Sequence, residues 1–304
     1  MEIAVQAAGL CKYYRGKKAV DGLNMQVRKG EIYGSIGHNG AGKSTTFKML
    51  AGLAKPTAGE IKLLDRPLTD GTATRRVGTL IEEAGIYPKL TPRDNVRLKA
   101  DWLGLPDNDP AVDEALRAVG LNPDDKTQAR RLSMGNRRRL GLALAIVGTP
   151  ELLLLDEPTN GLDPEGIRDI RALLLRLNQE RGVTIVISSH LLGELEKMAT
   201  CYGIVNAGHM VRELTAAELQ AQCRDALIVQ TTDPQRAAMV LERMHLTHYE
   251  TFPGGELRIW DPADPTAVNT AMVASGVPIQ GISQHYGDLE SYFLQLMGGN
   301  NDGE

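Results

Sequence analysis

The segment Gly37-His38-Asn39-Gly40-Ala41-Gly42-Lys43-Ser44-Thr45 has the form G-x-x-x-x-G-K-S. It stands between a β-type run, Glu31 to Ile36, and a helical pattern, Thr45 to Ala51, stopped by Gly52. Glycines at this spacing let successive backbone N–H groups turn inward around a phosphate chain, and the following helix N-terminus adds partial positive charge. Lys43 is placed to reach β- and γ-phosphates, and the Ser44 hydroxyl to ligate Mg²⁺. Further on, Glu151 to Pro158 reads as a buried parallel strand ending in Asp156-Glu157. Carboxylates just past such a strand lie at the carboxyl edge of a sheet, where ligands of open α/β folds bind. Asp156 suits Mg²⁺ held through water, and Glu157 suits orientation or deprotonation of an attacking water. Thr184 to Ile187 is another buried strand, ending at Ser188-Ser189-His190, so His190 shares that edge and is a candidate phosphate sensor. Tyr14 has the chemistry to stack on a purine, but from spacing alone a partly buried surface tyrosine is the better reading.

The elements that must position these groups alternate strand and helix, which predicts an α/β core. Ahead of the phosphate loop, Glu2 to Ala7 and Ala19 to Val27 predict an antiparallel β-layer, with Tyr14 on the polar Lys12-to-Lys18 connection. Gly59 to Leu64 and Val77 to Ile81 predict further strands, the second ending at Glu82-Glu83. Thr91-Pro92 and Asp109-Pro110 each read as a cap residue followed by proline at the first helical position. The interval from about Pro92 to Pro150 is thus a helical insert, with a loop over Asn122 to Arg131. Ser133 is placed to cap an amphipathic helix, Arg137 to Val147, and most of its Arg137-Arg138-Arg139 run reads as a solvated face. Gly166 to Arg181 is a further helix. From Ala226 the order is strand, helix (Pro234 to Met244), hairpin, helix, strand and a last helix over Leu289 to Met297. That is a β-α-β-β-α-β, ferredoxin-like unit with nothing catalytic in it. The expected division is a phosphate-loop domain over 1–220 (helical subdomain about 92–150), an accessory α+β domain over 221–298 and a flexible tail over 299–304.

A chain of 304 residues exceeds one ordinary core, in keeping with a large and a small domain. The formal net charge of −4 disfavours a nucleic-acid partner gripped by a broad basic face. The longest apolar runs are too short to span a bilayer, and no basic region with a long apolar core marks a signal peptide. Three scattered cysteines read as reduced thiols of a cytoplasmic protein, not a disulfide or zinc framework.

Over roughly Ile3 to Leu214 these motifs resemble the ATP-binding subunits of ABC transporters, five of them in family order. They are the phosphate loop, the signature as Leu132 to Asn136, the Walker B strand and base as Leu152 to Glu157, Asp163 in Gly161-Leu162-Asp163-Pro164, and the switch histidine as His190. The resemblance implies a RecA-like P-loop core with an antiparallel β layer and helical insert, and Mg²⁺ and ATP as cofactors. Contacts to the nucleotide are implied for Tyr14, Gly37, Asn39, Gly40, Ala41, Gly42, Lys43, Ser44, Thr45 and Glu82. Tyr14 becomes the adenine-stacking aromatic, against its spacing-only reading. A head-to-tail dimer, most simply of two identical chains, is implied too, Ser133, Gly135 and Asn136 of one subunit capping the γ-phosphate held by the other's Lys43, with Asp163 nearby. Catalysis falls to Glu157, His190 and Lys43, and the metal to Ser44, Glu82 and Asp156. Asn136 stands where glutamine is common, and Glu82 where a metal-contacting glutamine is usual. The run Ile81 to Tyr87 is similar to that of bacitracin and lantibiotic self-protection exporters, and Leu289 to Leu294 to the tail of drug-exporter ATPases. Glu83 is the alternative register for the coupling residue. The resemblance therefore implies a cytoplasmic ATPase, peripheral on the membrane through a separate permease. The rival, a soluble ABC-type ATPase on ribosomes or DNA, ordinarily has two cassettes in one chain or a very long coiled-coil insert, and neither occurs here.

Overall fold

The computed structural model describes residues 2–68, 76–82, 85–105, 107–223, 225–261, 263–285, 292, 293 and 296. The chain divides into two units, Met1–Ala216 and Ala217–Glu304.

In the first unit β1 (Ile3–Tyr14) and β2 (Lys17–Arg28) form an antiparallel hairpin. Its two turn residues, Arg15 and Gly16, both have positive φ (40° and 86°), as a type I′ turn requires to match the twist of the strands. The polar Lys12-to-Lys18 segment is therefore mostly strand, and Tyr14 ends β1 instead of lying on a connection. β3 (Ile32–Ile36) is buried at every residue and leads through the phosphate loop into α1 (Lys43–Leu50). β4 (Ala58–Leu63) and β5 (Arg66–Pro67) complete an antiparallel sheet ordered β2-β1-β4-β5.

β6 (Val77–Leu80) precedes the helical insert, which contains α2 (Pro92–Leu103), α3 (Asp109–Ala118) and α4 (Met134–Ile146). Thr91 caps α2 by accepting from Asp94 N. The expectation that Asp109 caps α3 is corrected: Asn108 precedes the helix, and the Asp109 carboxylate is engaged by Arg97 instead. Ser133 caps α4, accepting from Asn136 N at 3.2 Å.

The remaining elements of this unit are β7 (Leu152–Asp156), α5 (Pro164–Arg181), β8 (Thr184–Ser188), α6 (Leu192–Glu196), β9 (Cys201–Asn206) and β10 (His209–Thr215). They build a six-stranded sheet, β10-β9-β3-β8-β7-β6, parallel throughout except for the β9–β10 pair. β3, β7 and β8 are buried at every position, the mark of parallel strands covered on both faces. Leu10, Leu23, Tyr33, Phe47, Leu50, Leu152 and Val186 belong to one buried cluster that joins the two sheets and α1. Because β3, β7 and β8 run parallel, their carboxyl ends emerge on one edge, which collects the phosphate loop, Glu157 and His190.

α7 (Ala216–Gln222) begins at the last residue of the first unit, and the second unit continues with β11 (Ala226–Thr231), α8 (Pro234–Arg243), β12 (Tyr249–Phe252), β13 (Glu256–Ile259), α9 (Pro265–Ala274) and β14 (Ile279–His285). The sheet is antiparallel in the order β12-β13-β11-β14, a split β-α-β arrangement. Its own core includes Val229, Leu241, Leu257, Val268 and Met272. Of the helix expected over 289–297, residues 289–291, 294, 295 and 297 lie outside the described residues, as does the 299–304 tail. Among the described residues no helix is long and apolar enough to cross a membrane.

Candidate nucleotide site

The phosphate loop owes its shape to close backbone approaches. A Cβ on Gly37 would stand 2.5 Å from Val205 O, and one on Gly42, whose φ is 110°, would stand 2.6 Å from Ala19 O. Gly40 has φ 83°. Ala41 is pinned on both sides, its N–H donating to His38 O and its carbonyl accepting from Gly208 N. Lys43 opens α1 with its side chain buried, and its ammonium donates to Gly37 O and, at 3.2 Å, to His38 O. Burial lowers the Lys43 pKa, with Glu157 and Asp156 opposing that shift. A phosphate would present the ammonium with charged oxygens in place of two carbonyls.

At the ends of β7 and β8, buried Asp156 accepts a 2.6 Å hydrogen bond from the Ser188 hydroxyl, which in turn accepts from Glu157 N at 2.9 Å. The Glu157 carboxylate accepts from His190 N at 3.3 Å and lies 2.6 Å from His190 Nδ1. The backbone of Glu157 is left-handed, with φ 52°. One open cavity of about 600 Å³ is lined by Tyr14, by Asn39, Gly40 and Gly42 to Thr45 of the loop, and by Glu157 and His190. A cavity joining an aromatic side chain, a glycine loop at a helix start and a carboxylate-held histidine has the makings of a nucleoside triphosphate site.

An ABC transporter family model matches residues 20–160. Bacitracin transport ATP-binding protein BcrA of Bacillus licheniformis is 38% identical over 307 residues, spanning 100% of both chains. The chain belongs to the ABC transporter ATP-binding family. The uncharacterized ABC transporter ATP-binding protein YcbN of Bacillus subtilis (strain 168) is 39% identical over 99% of both chains. Among solved structures, a dimeric ATP-binding cassette in a post-hydrolysis state bound to ADP and Pi matches with a TM-score of 0.65 and 26% identity, over 70% of this chain and 98% of its own. This cassette is accordingly an ATPase of the P-loop α/β class.

The family motifs fall into three places in the cassette. Asn39, Gly40 and Gly42 to Thr45 of the loop share the cavity described above with Tyr14, Glu157 and His190, while Gly37 and Ala41 are buried and do not line it. Ser133, Gly135, Asn136 and Asp163 line a separate hollow, where Asp163 also caps α5 by accepting from Gly166 N at 3.0 Å. Glu82 lines neither: its carboxylate pairs with Lys48 of α1 at 2.5 Å, and its backbone is left-handed with φ 53°. Glu83 lies outside the described residues. For a metal, the Ser44 hydroxyl and the Asp156 carboxylate are oxygen donors beside the loop, and no cluster of three or more His, Cys, Asp or Glu occurs among the described residues. One carboxylate and one hydroxyl fit a Mg²⁺ shared with phosphates and water, not an all-protein cage.

Only Arg137 of the arginine run is exposed, which corrects the reading of most of the run as a solvated face. Arg138 is half-buried and donates to the carbonyls of Glu157 (3.0 and 2.6 Å), Asp156 (2.9 Å) and Glu82 (2.8 Å). Arg139 donates to Val119 O at 2.7 Å and approaches Asp169 at 3.3 Å. A signal for this was present: three consecutive helical residues sweep about 200° of helix surface, more than one exposed stripe holds.

Proposed function

We propose that the cassette binds Mg-ATP on the phosphate loop and hydrolyses it with Glu157 as base, powering a separate membrane permease that exports an antimicrobial peptide, drug or related amphiphile. The observation that carries the chemistry is the Glu157 carboxylate, held by His190 at the edge of the cavity that the loop lines. Lys43 exchanges its carbonyl partners for the β- and γ-phosphate oxygens, and the loop N–H groups surround them. Tyr14 stacks on the adenine from the end of β1. Glu157 orients a water in line with the γ-phosphorus and takes its proton, and His190 fixes the Glu157 carboxylate and faces the departing phosphate. Ser44 and Asp156 would hold Mg²⁺, which when bound neutralises charge on the phosphate oxygens. The hollow of Ser133, Gly135, Asn136 and Asp163 receives the ATP carried by a second subunit, so two chains close over two nucleotides. Full-length similarity to a bacitracin transport protein supports the cargo class and a place on the cytoplasmic face of the membrane through the permease.

The test is Glu157→Gln, introduced into the chain co-expressed with its permease in a bacitracin-sensitive bacterium. ATPase activity should fall at least about 100-fold, the scale of a lost general base, with ATP still bound and protection against the peptide gone. Undiminished hydrolysis would overturn the assignment of the base. Lost hydrolysis with full protection would overturn the export reading.

A further inference from the structure

Glu157 and Glu82 share an unusual property: both are non-glycine residues with left-handed backbones, at φ 52° and 53°. That conformation is disfavoured for side-chain-bearing residues and persists only where the surroundings over-determine it. The same guanidinium reaches both. Arg138 uses Nε and Nη2 on Glu157 O, Nη2 also on Asp156 O, and Nη1 on Glu82 O. Glu157 is thereby fixed at its N–H by Ser188, at its carbonyl by Arg138 and at its carboxylate by His190. Glu82 is fixed at its carbonyl by Arg138 and at its carboxylate by Lys48.

We infer that Arg138 is a positioning residue for ATP hydrolysis: its fork holds the Glu157 backbone where the carboxylate faces the phosphate loop, and ties that backbone to Glu82. Arg138 lies on α4, the helix that Ser133 caps, five residues after that serine. One rigid helix therefore carries both the signature residues and the group that sets the base. A tilt of α4 on closing a dimer moves the Glu157 and Glu82 carbonyls with it. The planar fork matters as much as the charge, because its N–H groups point in fixed directions at three acceptors. An ammonium at this place has one nitrogen and cannot span all three.

The inference rests on Glu157 as base, and Arg138→Lys in the full chain tests it, with Glu157→Gln measured beside it. Steady-state hydrolysis gives kcat and KM, a fluorescent ATP analogue gives Kd, and thermal melting reports folding. For Arg138→Lys we expect kcat at least tenfold lower, with KM and Kd within about twofold of the parent and a melting temperature within a few degrees. A kcat within twofold of the parent, while Glu157→Gln is inactive, overturns the role of Arg138 and leaves the base intact. An equal loss of affinity and rate, or a melting temperature lowered by more than about 10 °C, marks Arg138 as scaffold only and overturns it too. Activity retained in Glu157→Gln removes the premise. Arg138→Met, which keeps the stem without the charge, should lose no less kcat than Arg138→Lys; a Met variant faster than the Lys variant also counts against the inference.

Discussion

Tyr14 lines the phosphate-loop cavity from the end of a strand, not from a loop. It is 46% exposed, ends β1 opposite Lys17, and has the Lys12 ammonium 5.1 Å from its ring centroid. A ring held on a strand end costs little to order when a base stacks on it, and such stacking is worth about 1–3 kcal/mol. Tyr14→Ala should therefore raise the Kd for ATP by about tenfold or more, and Tyr14→Phe should leave it near the parent value. Binding of inorganic tripolyphosphate should be the same in all three, because the ring touches no phosphate. Titration calorimetry with both ligands checks this, and equal weakening of ATP and tripolyphosphate would refute adenine stacking. The placement of the loop glycines, Lys43 and the Asp156-Glu157 pair is legible in the chain because it is local, set by a strand end, a turn and a helix start. Arg138 is not legible in the same way. Its acceptors are 18, 19 and 56 positions away in the chain, and nothing nearby in sequence announces them.

At the scale of elements, buried strands and capped helices follow from composition, and their ends follow less well. The β1–β2 hairpin extends through lysines and tyrosines because a tight turn with two positive-φ residues keeps the strands paired out to an exposed tip, where polar side chains are solvated. Asp109 reads as a cap, yet an ion pair with Arg97 competes for the same carboxylate. The join of the two sheets is also hidden from periodicity. Tyr33 of β3 is fully buried, and its hydroxyl donates to Glu213 of β10 at 2.5 Å, a carboxylate that also approaches Gln26 N of β2 at 3.4 Å. Burial first, and then Glu213, drive the Tyr33 pKa well above its ordinary value, so this hydroxyl stays protonated as the donor. The ring needs the gap at Gly203 of β9, where a Cβ would come 1.9 Å from the Tyr33 oxygen. Gly203→Ala should thus cost about 1–3 kcal/mol by overpacking, read as a lowered chemical-denaturation midpoint. Gly203→Ala combined with Tyr33→Phe should recover part of the loss, since removing the oxygen removes the nearest clash. No recovery would mean that the penalty arises in the β9 backbone.

Taken as a whole, the chain has two units, each with its own buried core, and the chemistry concentrated in the first. Within that unit the two halves of the expected ATP contact set line different cavities. The phosphate loop, Tyr14, Glu157 and His190 form one, and Ser133, Gly135, Asn136 and Asp163 form the other. A single copy therefore keeps its signature residues apart from the cavity of its own loop, and in the function proposed above a second copy brought head to tail would carry the nucleotide they meet. Ser133 is the sharpest probe, because its hydroxyl caps α4 and leaves the helix N-terminus facing the hollow. An arginine there fills the hollow and removes the cap, without touching the phosphate loop. In the Glu157→Gln background ATP should drive the chain to a dimer on size-exclusion chromatography with light scattering. Adding Ser133→Arg should return it to a monomer at the same ATP concentration, with nucleotide affinity of the monomer within about twofold. A dimer that survives the second substitution would show that the signature hollow does not face the partner's ATP. Loss of ATP binding by the monomer would place Ser133 in the first cavity after all.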